Sequence, residues 1–365
     1  MDLFTHLVFG GLMYLLFLKE VTLDYLFLAL FFSILPDLDI LLAPLKRIIK
    51  SNYLGHRGGS HSYIIGIIVS FFISLISSNL TLKPFFLVWI IGILFYGLHV
   101  SMDLLTTTKI PYLYPLSKKE HSFYVEKAGS QFTFFNSILF LILSGVIFRL
   151  FANMSLNLLL IDIYTSLFII YYFYRIMSKI FISATLENNQ KYLPGVLPFY
   201  FKLYNYEING NEVVASIEKR YHFSKKKEII QINAVLSTQE KIIFDKASEL
   251  NNKHYYFAKW TTLPVIVRKE GIFSIRFFFL ETMMRYRNMY IQYDFDIDTQ
   301  NFIGTNRGSG RIQSNHEKKK EEQELEDDEV EKIFDSTWKN WESRRRCEQT
   351  HTPEYLKKKN NENRE

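Results

Sequence analysis

Apolar residues gather in the first half of the chain into runs broken by only a few polar positions: residues 4–18, 21–35, 63–78, 85–102, 134–151 and 158–177. An α-helix rises about 1.5 Å per residue, so ~20 apolar residues, with ~17 tolerated, cross a hydrocarbon layer ~30 Å thick. The pattern predicts about six transmembrane helices. The first two runs are separated only by Lys19-Glu20 and form a tight hairpin that is either fully or partly inserted. The third and fourth are joined at Lys83-Pro84. A soluble helical core is the rival reading, but so many long runs exceed what a domain of this size buries.

The pattern changes after about Lys191. Pro194, Gly195 and Pro198 read as a linker, followed by short stretches rich in aromatic and β-branched residues at 200–208, 213–221, 229–235, 254–260, 272–279 and 289–297. Asn209-Gly210 between the first two is a hairpin signal. Residues 238–250 carry a helical pattern, and Glu281 and Arg285, four apart, suggest a local ion pair. From about 305 apolar residues become scarce and charge comes in blocks, as in 317–332 and Arg344-Arg345-Arg346. Such a stretch buries too little to offset its ordering entropy, leaving at most a transient helix near 329–341. The predicted organisation is a helical membrane domain over 1–180, a small β-rich (α+β) domain over 191–304, and a disordered charged tail over 305–365.

Six crossings return both termini to one side of the membrane. Loops 36–61 and 103–133 on that side carry Lys46, Arg47, Lys50, Arg57, Lys109, Lys118, Lys119 and Lys127; the other side has Lys19, Lys83 and Arg149. The positive-inside bias makes the loop side cytoplasmic and predicts a multi-pass protein of the inner, cytoplasmic membrane. The net charge of +6 fits that asymmetry better than a nucleic-acid partner. The aromatic density of the β region fits a packed core and lacks the RNP-like motif that base stacking would call for. The single cysteine, Cys347, excludes an intramolecular disulfide and fits a reducing compartment. The first residues do not read as a secretory signal, because Asp2 stands where a basic region is expected and no small-residue cleavage site follows.

The candidate chemistry lies at the ends of the apolar runs, all on the loop side. Thr5-His6 opens the first. Leu35-Pro36-Asp37-Leu38-Asp39 closes the second, His56-Arg57-Gly58-Gly59-Ser60-His61-Ser62 precedes the third, and His99-Val100-Ser101-Met102-Asp103 closes the fourth. His99 and Asp103, four apart on a helix, share one face. Asp37 and Asp39 both face one pocket if the segment is extended; if the turn after Pro36 is tight, one is a ligand and the other its supporting partner, and Asp37 is favoured as the ligand. The glycines let the His56–His61 loop fold tightly, and Arg57 is placed to meet an anionic oxygen. Each piece has a plainer reading: an interfacial histidine at His6, a turn cap at Asp37 or Asp39, a solvated basic loop at His56 and His61, a buried pair or proton relay at His99 and Asp103. Their gathering on one face favours a metal site. Mixed imidazole and carboxylate donors suit Zn²⁺, with Mn²⁺ or Fe²⁺ also served, and the number of candidates exceeds what one structural zinc takes. Such a site points to hydrolysis, most naturally at phosphorus.

These motifs, taken in order over about residues 1–135, resemble the YdjM-type membrane-bound, metal-dependent hydrolases, also described as LexA-binding, inner-membrane-associated hydrolases. The resemblance rests on Thr5-His6 near Gly10-Gly11, the Leu-Pro-Asp-Leu-Asp run, His56 to Ser62, His99 to Thr107, and Tyr114-Pro115-Leu116-Ser117. It implies metal ligation by His6, Asp37, His56, His61, His99 and Asp103, with a distant likeness to zinc-dependent phospholipase C and related nucleases. Lys109 stands where the family often has glycine, which affects local loop shape. The expected function is a phosphoester hydrolase with one to three divalent ions, zinc foremost, on a substrate that includes lipid-derived phosphoesters; Arg57 and Asp39 are its catalytic candidates. The alternatives are a non-catalytic membrane scaffold that binds a soluble protein through its cytoplasmic domain and tail, and an ion or proton pathway through His99 and Asp103.

Overall fold

The computed structural model describes residues 1–17, 22–42, 58–151, 154–187, 189–254, 260–282 and 287–312. The first half is helical: α1 (Leu3–Phe17), α2 (Leu23–Ile34), a 3-10 helix (Leu35–Leu42), α3 (Tyr63–Thr81), α4 (Phe85–Leu105), α5 (Gln131–Phe151) and α6 (Met154–Ala184). Among the described residues three helices are long and apolar enough to cross a membrane: α3, α4 and residues Leu156–Ala184 of α6. With 15 and 12 residues, α1 and α2 reach only ~23 and ~18 Å, short of a ~30 Å hydrocarbon layer. The apolar part of α5, Gln131–Ile147, also falls among the shorter helices.

The helices pack as antiparallel neighbours, α1 on α2, α3 on α4 and α5 on α6, with α4 also against α2. Close approach is permitted by small residues, as in other helix pairs in apolar surroundings. A Cβ on Gly92 of α4 would stand 2.7 Å from Ser70 Cβ and 2.9 Å from the Phe32 ring. Tyr14, Ala29, Phe32, Val88, Ile91 and Phe95 form one buried core of α1, α2 and α4. Val8, Leu12, Met102, Phe140, Tyr164 and Phe168 form another that binds α5 and α6 to them. The outward faces stay apolar and exposed, for example Phe72, Phe86, Leu94 and Phe173.

The second half is two four-stranded antiparallel meanders joined by a helix. They are β1 (Gln190–Pro194), β2 (Tyr200–Asn209), β3 (Glu212–Tyr221) and β4 (Ser224–Val235), then α7 (Thr238–His254), then β5 (Thr262–Lys269), β6 (Ile272–Phe279), β7 (Asn288–Asp296) and β8 (Phe302–Gly310). Gly210, at φ +61°, makes the predicted β2–β3 turn. Ile243, Phe244 and Ala247 of α7 pack on Phe273, Ile275, Phe277, Ile291 and Phe295. Leu193, Tyr204 and Ile217 of one sheet meet Leu263 and Phe278 of the other.

Three details differ from the sequence expectation. Pro194, read as linker, ends β1, and β5 carries Pro264; both are edge strands, where a missing N–H need not break the ladder. The strand expected at 254–260 falls mostly on residues 255–259, which lie outside the described residues; α7 extends through His254, and the next described strand begins at Thr262. Residues 305–310, expected in the tail, lie in a strand, because Phe302–Gly310 pairs with β7. That strand is poor in apolar residues, and Gly308 leaves room for Tyr290, whose Oη a Cβ there would approach to 2.7 Å. The remaining tail, with Cys347, and Arg285 lie outside the described residues.

Candidate metal centre

Four elements converge at one end of the helical bundle. The 3-10 helix after α2 carries Asp37 and Asp39. Residue Ser62 caps α3, its side chain accepting from Ile64 N, and sets His61 just ahead of the first turn. Near its C-terminal end α4 presents His99 and Asp103 one turn apart, and α1 brings His6. Thr106 closes α4, with its N–H and its Oγ1 both donating to the Asp103 carbonyl, at 3.0 and 2.8 Å.

Asp37, His61, His99 and Asp103 each offer one ligand atom, all within 4.8 Å of one another. His61 Nε2 lies 3.2 Å from Asp103 Oδ2, 3.4 Å from Asp37 Oδ1 and 3.4 Å from His99 Nε2. His99 Nε2 lies 3.7 Å from Asp37 Oδ1 and 3.9 Å from Asp103 Oδ2. Metal–ligand bonds of ~2.0–2.1 Å in a tetrahedron place neighbouring ligand atoms roughly 3.3 Å apart, so these separations fit a shared divalent cation. The donor set, two imidazoles and two carboxylates, suits the same class of ion. All but Asp37 are fully buried.

Asp103 faces two ways. Its Oδ2 points into the four-residue group, while Oδ1 lies 3.3 Å from His6 Nε2 and is hydrogen-bonded by the Met1 amine. The His6 ring stacks on His99 with centroids 3.6 Å apart. His6 therefore sits beside the group rather than within it.

Behind the ligand atoms a second layer fixes the imidazoles. His99 Nδ1 is 2.7 Å from the Ser33 carbonyl oxygen, which sets it as the donor and leaves Nε2 to face the group. His61 Nδ1 is 3.1 Å from Ser60 Oγ, and Ser60 donates to Asp39 Oδ2 at 2.6 Å. Asp39 Oδ2 itself is 3.7 Å from His61 Nδ1, on the far side of the ring from Nε2. A 3-10 helix sends residues two apart to different sides, so Asp37 enters the site and Asp39 stands behind His61. Sequence reasoning missed Ser60 and Ser33. Ser60 was visible inside the Gly-Gly-Ser-His turn, but Ser33 acts through its backbone. His56 and Arg57 lie outside the described residues.

Burial disfavours a charged His61, but its hydrogen bonds to Asp103 and Asp37 outweigh that and raise its pKa to about 9. Burial likewise works against a charged Asp37, yet the His61 hydrogen bond and the nearby His99 hold its carboxyl well below the ordinary value. A cation entering here takes the place of that exchangeable proton.

The fold and the site together define a membrane-embedded helical domain with a buried histidine–aspartate group that can hold a metal ion. Residues 1–180 match the family described as YdjM inner membrane protein, and the chain belongs to that family through this helical half. No curated protein and no solved structure matches it.

Proposed function

We propose that this protein is a membrane-bound, metal-dependent hydrolase of phosphoesters. The observation that carries the reading is the convergence of Asp37, His61, His99 and Asp103 to within 4.8 Å in an otherwise apolar bundle. Ionisable groups at membrane depth are functional candidates by default, and these are mutually arranged for cation binding. Asp37, His61, His99 and Asp103 would hold a divalent cation, whose chemistry there would be a lowered pKa for water and neutralisation of charge on a phosphoryl oxygen. That ion is zinc foremost, with manganese or iron also served by these donors. Ser33, Ser60 and Asp39 lock the imidazole orientations, so Asp39 acts as a positioning residue rather than a base in the pocket. His56 as an additional ligand and Arg57 as the contact to the substrate phosphoryl group belong to this reading from the sequence alone, since both lie outside the described residues.

Four protein ligands close a tetrahedral zinc, which is the composition of a structural site. Hydrolysis would then call for further donors, which His6 and Asp103 Oδ1 would offer once the Met1 amine that now bonds Oδ1 is displaced. The rival reading is a metal-stapled scaffold that binds a soluble partner. In our reading α1 with α2, α3 with α4 and α5 with α6 form three hairpins that begin and end on the site face. Both termini and the site then face the cytoplasm whether the short helices cross fully or re-enter. The site's place beside the bilayer favours lipid-derived phosphoesters. The test is turnover of phospholipids, nucleotides and aryl phosphates by detergent-purified protein, with and without chelator. Chelator-sensitive turnover that His99→Ala abolishes is expected; a metal-loaded protein inert on all of them contradicts the hydrolase reading and leaves the scaffold.

A further inference from the structure

The β3–β4 hairpin ends beside the last membrane helix, and its tip does not resemble the rest of the β domain. Phe223 at the tip is 82% exposed, and Lys225, Lys226 and Lys227 follow it, all exposed. His222 anchors the tip: its N–H donates to the Phe199 carbonyl at 2.9 Å, its Nδ1 lies 3.3 Å from Ser178 Oγ, and its ring packs on Tyr174. Tyr174 also donates to the Pro198 carbonyl at 3.1 Å. Leu197 and Phe199 on the same side are exposed, as are Ile180 and Phe181 on α6.

The depth of this contact follows from helix length. Leu156–Ala184 has 29 residues, which at about 1.5 Å each is ~43 Å, longer than a ~30 Å hydrocarbon layer. If the helix enters at Leu156, it leaves the hydrocarbon near residue 176, between Tyr174 and Ser178. Tyr171 and Tyr172 turn into the bundle, on Glu126 and in the buried core, whereas half-buried Tyr174 is an interfacial aromatic at that level. The tip therefore stands at the headgroups, continuous with the lipid-facing surface of α6.

The charge fits the same place. From Ile217 to Glu228 there are five lysines or arginines against two carboxylates. The carboxylates are already engaged, Glu218 by Arg220 at 2.7 Å and Glu228 by Lys219 at 3.2 Å. Lys227 reaches Glu218 only at 3.9 Å, so Lys225, Lys226 and Lys227 give the tip a net positive outward face. An exposed aromatic with adjacent lysines at headgroup depth is the composition of an interfacial anchor for acidic lipid.

We propose that the β3–β4 tip is such an anchor, with Phe223 seated at the acyl boundary and Lys225, Lys226 and Lys227 on anionic headgroups, holding the β domain against the membrane. This does not depend on the hydrolase reading. The test places an environment-sensitive fluorophore at Phe223→Cys in full-length Cys347→Ser protein, with Glu270→Cys at the exposed β5–β6 turn as control. The protein is set in nanodiscs of phosphatidylcholine alone or with about 30 mol% phosphatidylglycerol. An unchanged melt shows that the labelled chains are folded. The expected result is a label at 223 that an aqueous quencher reaches about fivefold less readily than one at 270 in acidic nanodiscs, an advantage that shrinks on adding salt and on Lys225→Gln/Lys226→Gln/Lys227→Gln. Equal quenching at 223 and 270 in both compositions overturns the proposal. So does protection that ignores lipid charge and rises with protein concentration, which would mark a contact between copies instead.

Discussion

His61 Nε2 and Asp103 Oδ2 stand 3.2 Å apart, one residue leading into α3 and the other ending α4. Two helix ends thus contribute to one point, and the contact depends on the α3–α4 pair keeping its separation. The chemistry proposed for the site rests on that convergence and on the hydrogen bonds that aim each ring.

The supporting layer has a measurable effect. Ser60→Ala or Asp39→Asn removes the group behind His61 Nδ1 while leaving every ligand atom in place. Loss of such a partner typically weakens metal binding about 10–100-fold without abolishing it. Metal titration under competition with a chromophoric chelator is expected to show that intermediate loss. Affinity equal to wild type in both variants would mean that the ring is held by other contacts.

His6 separates a one-ion centre from a two-ion centre. It meets Asp103 on the Oδ1 side and stacks on the His99 ring without pointing a nitrogen into the four-residue group, so His6→Ala is expected to lower the metal content by one ion per chain and to leave the ion on Asp37, His61, His99 and Asp103. An unchanged content would remove the second position.

Away from the site, Glu126 and Arg175 form a buried ion pair, Oε2 to Nε at 3.1 Å, that ties the loop after α4 to α6. Arg175 also reaches the Gly195 carbonyl at the start of the β domain. Arg175→Met leaves a buried carboxylate without its cation and is expected to cost about 3–5 kcal/mol of stability. The double variant Glu126→Leu/Arg175→Met is expected to recover most of that, because no buried charge remains. Thermal unfolding of the three proteins decides it; a double variant as unstable as the single one contradicts the account.

Glu281 makes stability depend on pH. Burial dominates and raises its pKa from 4.5 to about 7, against the backbone hydrogen bonds from Thr261 N at 2.8 and 3.0 Å and the nearby Lys109. The folded state holds the proton more tightly than the unfolded one. Its contribution is therefore complete below about pH 4.5 and is lost as the pH rises through about 7, an effect of about 3 kcal/mol. Glu281→Gln cannot ionise, so wild type is expected to lose stability relative to it over that range. A constant difference between their melting curves from pH 4.5 to 7.5 would contradict this.

What the sequence made legible follows from which signals are local. His99 and Asp103 were readable as partners because a helix fixes the face of residues four apart. Asp37 and Asp39 could not be separated without the backbone between them, and the 3-10 turn after Pro36 decides it. Ser33 was hidden because its part is played by a carbonyl that any residue carries. The β hairpin at Asn209-Gly210 announced itself, whereas β1, β5 and β8 contain prolines or glycines that a strand tolerates only at an edge, and edges are a property of the whole sheet. The apolar runs marked α1 and α2 as membrane segments and as the two that are either fully or partly inserted, and the described helices there have 15 and 12 residues.

The central claim is that Asp37, His61, His99 and Asp103 bind a divalent cation together. The most direct measurement is elemental analysis of detergent-purified full-length protein beside its His99→Ala and Asp103→Ala variants, each confirmed as folded by its melting curve. The account predicts at least one equivalent of zinc, manganese or iron per wild-type chain and a loss of that equivalent in both variants. A folded wild-type protein with no stoichiometric metal, even after incubation with these ions, would contradict it.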